Sequence, residues 1–251
     1  MSPVALGSIV FAGVSGGGLL GLSVRKLLPP EHLHDESVGM VKFGTGLLAT
    51  LTALVLGLLV ASAKGNYDRA IDEVTQTAAR VMLLDRTLAQ YGPQTQEARG
   101  LLREITSSLV DVLNSSAGIA AIDTPARLAR GEKFQTKLRE LTPENDTQRA
   151  LRARAVEIAG EMAQARVLAI AQGEASIPTV FLVMLVLWLA AMYTGFGLVS
   201  VRNLTVLVTL FLCALSMGGT VFLIESMNHP IEGVMKVSSA PLSNALAHLG
   251  Q

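Results

Sequence analysis

Little in this chain is reactive. There is one cysteine, Cys213, so no disulfide can form within it, and four histidines are scattered along 251 residues. No P-loop, no glycine-rich dinucleotide turn and no HExxH is present. These absences argue against an enzyme, and no catalytic, cofactor or metal residues are assigned. Lys and Arg number 20 and so do Asp and Glu, for a net charge of zero, and most of both signs fall between Lys64 and Arg166. That balance argues against a nucleic-acid surface. No run of basic residues flanks an apolar stretch, so anionic-lipid recognition is not indicated.

What the chain has instead is four apolar stretches, roughly 4–24, 43–63, 179–200 and 204–224. Each has the ~20 residues that a helix rising 1.5 Å per residue needs to cross ~30 Å of hydrocarbon. None contains a charged residue or a proline. Coupled transporters tend to place ionisable groups inside the membrane, so the lack of charge there weighs against active transport. The first stretch has its positive charges, Arg25 and Lys26, after the apolar run. That order predicts a retained span, not a cleaved signal. The fold expected is therefore all-α, a multi-pass membrane protein with the lipid bilayer as partner. It divides into a first transmembrane pair (1–63), a helical extramembrane segment (64–176), a second pair (177–226) and an interfacial tail (227–251). Lys and Arg near the span ends divide four against four, and orientation stays open.

Small residues recur every fourth position in the spans. Gly13, Gly17 and Gly21 form one row, and Ala214 and Gly218 another. Small residues let helices approach closely in lipid, either within a subunit, against span two, or between subunits. In span two, Thr45, Ala49, Ala53, Gly57, Ala61 and Gly65 make a longer row. It reads either as a helix–helix seam or as the lining of a narrow conduit, with the seam favoured. Thr50 and Thr52 can bond back to the preceding turn. Near Pro29 and Pro30, His32 and His34 lie among Glu31, Asp35 and Glu36. A solvated loop explains them better than zinc, since every ligand would come from one short segment.

No breaker follows span two. Apolar residues at helical spacing from Tyr67 to Tyr91 predict that it continues as one helix to about Gln90, where Gly92-Pro93 stops it. Further helices are expected over 98–113, around 126–139, and from Thr142-Pro143 to Gly173 or nearly into span three, with residues 114–126 as a loop. Asp85 and Arg86 near the helix seam suggest a structural ion pair. The tail, with Ile231, Val234, Leu242, Leu246 and Leu249, would lie at the interface or pack on the bundle.

Several of these segments match a pattern. Leu28-Pro29 with His32 and His34, Gly44-x-Gly46, the run Leu48–Lys64, Leu83–Pro93 and Glu97-Ala98-Arg99 belong to it. So do Ser176-Ile177-Pro178, Arg202-Asn203, Ser238–Leu242 and Asn244-Ala245-Leu246. Together they resemble a bacterial membrane family called bestrophin-like, over nearly the whole chain. The resemblance implies a distant relation to bestrophins, homo-oligomeric anion channels whose second span lines the pore. It thus implies a homo-oligomer, small anions as the conducted species and the bacterial inner membrane as location. The chain departs from bestrophins in two respects. Its second span has no aromatic beyond Phe43, and its tail has no acidic cluster to serve as a calcium clasp. A non-conducting sensor or scaffold, with 66–172 binding a partner, is the competing reading. An accessory subunit of a larger complex is a third.

Overall fold

A computed structural model describes residues 2–29, 31, 34–115, 124–173, 179–230 and 234–250. Among them are eight α-helices and no strand. They are α1 (Pro3–Leu27), α2 (Asp35–Tyr91), α3 (Gln96–Asn114), α4 (Pro125–Glu140), α5 (Asp146–Gly173), α6 (Thr179–Val199), α7 (Leu204–Asn228) and α8 (Ala240–His248). Four of these, α1, α2, α6 and α7, are long and apolar enough to span a membrane. His32, Ile231, Ser176-Ile177-Pro178 and most of the expected loop 114–126 lie outside the described residues.

The helix ends follow local chemistry. Ser2 caps α1, its Oγ accepting from the Ala5 N–H at 3.3 Å, with Pro3 in the first turn. Asp35 and Glu36 open α2, at the positive end of its dipole. α2 then runs 57 residues to Tyr91. Gly92, at φ 130°, ends it in backbone that favours glycine. The Thr95 hydroxyl donates to the carbonyl of Leu88 at 2.7 Å and Gln148 Nε2 to that of Tyr91 at 3.1 Å, so two of the last carbonyls are satisfied. α5 starts later than the Thr142-Pro143 pair predicts. Asn145 is the cap, its Oδ1 accepting from the Gln148 N–H at 2.8 Å, and Gln148 Oε1 accepts in return from the Glu144 N–H at 2.7 Å. This reciprocal pair outcompetes the Thr-Pro start.

The chain forms two compact units. The first comprises Met1–Asn66 with Ile177–Asn228. Its core holds Val10, Val14, Leu56, Leu185, Leu189 and Val221. α1 lies tightly against both α6 and α7. A Cβ added to Gly17 would sit 2.6 Å from the Ala190 carbonyl oxygen, and one on Gly21 would run into Thr194. Gly13 makes looser contact, with Val186. Gly7 and Gly218 face each other across α1 and α7, each within 3.0 Å of the other's carbonyl oxygen once a Cβ is added. Ala214 is fully buried. Of the two partners the sequence leaves open for the glycine row of α1, span two or another subunit, neither is the one found: the row seats on α6. Arg25 Nη1 donates to the carbonyl of Val199 at 2.6 Å and to that of Leu198 at 3.3 Å, satisfying the end of α6.

The second unit comprises Tyr67–Ser176 with His229–Gln251. Val81, Leu84 and Leu88 of α2 meet Leu102 of α3, Leu138 of α4 and Ile158 of α5. The tail joins this core through Leu242, Ala245 and Leu249, whereas Val234 is exposed. Asp85 is buried and pairs with Arg99, not with the adjacent and exposed Arg86. The guanidinium grips it as a fork, at 2.7 and 2.9 Å. The Gly250 N–H also donates to Asp85, at 3.3 Å, and Arg103 donates to the Leu249 carbonyl at 3.0 Å. The Arg99 pKa is raised, chiefly by its hydrogen bonds to Asp85.

Candidate functional site

The row in span two takes up two different environments. Thr45 is buried, and a Cβ on Gly195 of α6 would collide with its hydroxyl. Ala49 and Gly65 are half-buried, and Ala53, Gly57 and Ala61 are exposed. Helix geometry accounts for the change. Four residues at ~100° each make ~400°, so a strict four-residue repeat drifts by ~40° per step. Over the five steps from Thr45 to Gly65 it winds more than halfway round the helix. The face that α2 buries in the first unit is instead Thr45, Thr52, Leu56 and Ala63. Thr50 bonds back to the Gly46 carbonyl at 3.0 Å, as expected. Thr52 does not: its hydroxyl is buried with no partner among the described residues.

A straighter face lies on the uncovered side. Gly46, Thr50, Ala53, Gly57, Ala61 and Lys64 are all exposed. Their spacing of four, three, four, four and three keeps them within a sector of ~80° on an ideal helix. Gly46, Thr50 and Lys64 were not singled out by the four-residue repeat, but an alternating three-four search finds them. A Cβ placed on Gly46 or Gly57 meets no neighbouring atom of the described residues within 4 Å. Leu47, Leu54 and Leu58 flank this sector, also exposed. Among the described residues no helix approaches α2 as closely as α1 approaches α6 and α7. The sector is thus narrow in side-chain bulk and carries no charge until Lys64. Near the start of α2, the His34 ring is within 2.7 Å of the Glu31 carbonyl, a bond within its own loop.

A family model described as a bestrophin-like domain matches residues 12–242. The chain belongs to the bestrophin-like family. Neither the curated proteins nor the solved structures yield a match. This bestrophin-like protein is accordingly a multi-pass membrane protein, with four helices of spanning length and bilayer contact implied by them. All but the first eleven and last nine residues fall within the matched region. That region takes in the whole open sector of α2, the glycine seam of α1 and all but the last residues of the second unit's core.

Proposed function

We propose that the protein is one subunit of an oligomeric channel for small anions, with α2 nearest the axis and the sector Gly46–Lys64 lining or packing the conduit. The observation that carries this reading is the bare centre of the sector: Ala53, Gly57 and Ala61 are exposed, and Gly57 has open space where a side chain would stand. Family membership supports it, as does a sector without carboxylates, which would repel anions. In this reading residues 64–176 form an extramembrane helical segment, the protein sits in a bacterial inner membrane, and no chemical step is catalysed. Reconstitution in liposomes with a halide-flux assay tests it. Gly57→Leu and Ala53→Leu should abolish flux while expression and folding persist. Flux unchanged in both variants removes α2 from the pathway.

A second reading rests on the continuity of α2, which runs from Asp35 to Tyr91 without a break. Such a helix suits a non-conducting sensor or scaffold that passes a change along its length to a partner of residues 66–172. Asn66→Pro would interrupt it. Partner binding or signalling undisturbed by that change rules out a rigid helix as the link.

A further inference from the structure

Within the second unit, α2, α3, α4 and α5 leave a cavity of about 690 Å³. That falls in the range of sites for small organic ligands, ~300–1,000 Å³. Its walls are apolar, from Val74 on α2, Ile105 and Leu109 on α3, Phe134 on α4, and Met162 and Ile170 on α5. Among the described residues five charged ones also reach its lining: Arg127, Arg130 and Arg166 against Glu73 and Glu132. The excess is positive. Arg127 stands in the first turn of α4, where the helix dipole adds to its charge. Its Nη2 donates to the Ser108 carbonyl at 3.1 Å, which fixes the side chain and engages one of five donors.

We propose that this cavity binds a single-chain amphiphile with an anionic head, its chain among the apolar walls and its head at Arg127. Two features select that class. Apolar walls give a sugar or nucleotide few hydrogen bonds, so desolvating such a ligand would go uncompensated. The surplus of arginine disfavours a cationic amphiphile and gives a carboxylate or phosphate a charge-assisted partner. The proposal does not depend on conduction, because occupancy is read directly by binding.

The full-length protein in phosphatidylcholine nanodiscs is titrated with a fluorescent undecanoate, which is then displaced by palmitate, by hexadecanol or by lysophosphatidate. Palmitate or lysophosphatidate should displace it saturably, the tighter of the two naming a free fatty acid or a membrane lipid as the source. Hexadecanol, with the same chain and no charge, should bind about tenfold more weakly, as expected when one charge-assisted bond is lost. Arg127→Gln should bring palmitate close to hexadecanol. Gly131 lines the same cavity, and a Cβ there meets no atom of the described residues within 4 Å. Gly131→Phe should therefore abolish displacement, while Gly131→Ala keeps it. Absence of saturable displacement by either anion overturns the proposal. So does palmitate affinity equal in wild type, Gly131→Phe and Arg127→Gln, which would mean partition into the bilayer.

Discussion

Two rows of small residues at four-residue spacing, one in α1 and one in α2, end in opposite surroundings. Gly17 and Gly21 of α1 lie so close to α6 that even a methyl group would strike its backbone. Gly57 of α2 has no atom of the described residues within 4 Å of the same point. In lipid there is no hydrophobic drive to bring helices together, and association depends on how closely backbones can approach. A small residue permits that approach without compelling it. Whether the opportunity is used depends on the opposing helix, and α6 meets α1 with its own small residues, Ala190, Thr194 and Gly197. The row itself therefore carries the same signal in a closed seam and on an open face.

The largest effect is expected where the seam is tightest. Gly17→Leu forces α1 away from the Ala190 carbonyl and should cost about 3 kcal/mol or more, at the upper end of overpacking penalties. Thermal unfolding in detergent should show a large fall in Tm or no folded protein. A Tm near wild type would mean that α1 and α6 are not in contact.

Next comes the buried pair of the second unit. Asp85→Ala removes the carboxylate that Arg99 and the Gly250 N–H share. Breaking such a pair strands the remaining charge, and a loss of about 3 kcal/mol is expected, at the lower end because Arg99 keeps 23% of its side chain exposed. Denaturant titration measures it. The pH dependence has a definite sign. The folded Arg99 pKa is raised above its ordinary value by the hydrogen bonds to Asp85, so its share of the stability is present at lower pH. It is lost only as pH rises through that raised value, and neutral buffers should leave it unchanged.

Much of this plan is legible in the sequence, and the exceptions have physical causes. Spans and long helices depend on local hydropathy and periodicity, so α2, α3 and α4 follow from patterns within them. The Asp85 partner does not, because Arg99 stands across a turn and its approach is set by how α2 and α3 fold back on Gly92 and Pro93. The partner of the α1 glycines is likewise tertiary information: Gly21 lies more than 170 residues from Thr194 in sequence. The α2 row misleads for a simpler reason. A four-residue repeat is close to, but not equal to, the helical period, so counting by four starts at the buried Thr45, crosses the open face at Ala53, Gly57 and Ala61, and leaves it again at Gly65. The start of α5 turns on the reciprocal side-chain bonds of Asn145 and Gln148, which the Thr142-Pro143 pattern does not show.

A smaller, opposite effect separates glycines that serve packing from those that do not. Gly100 lies inside α3, exposed, with open space at its Cβ position. Gly100→Ala should stabilise the second unit by about 0.5–1 kcal/mol, because alanine has less backbone freedom to lose on folding. A destabilisation seen by denaturant titration would place an unseen neighbour against α3.

The smallest effect on folding is expected at Gly57, and it sharpens the contrast with Gly17 most. If the open face is open in the assembled protein, Gly57→Leu leaves the thermal stability within about 0.5 kcal/mol of wild type, as for a substitution that meets no neighbour. The two leucine variants, one in each row, would then differ by several kcal/mol although both add the same side chain to a glycine in an apolar helix. A fall at Gly57 approaching that at Gly17 would instead show that something covers the sector in the assembly. Size-exclusion chromatography of the same variant separates the two ways this could arise. Loss of the oligomer together with stability would place a second copy of the chain on Ala53, Gly57 and Ala61, making the sector a subunit seam. An intact oligomer with unchanged stability and no halide flux would leave the added leucine standing in the conduit itself.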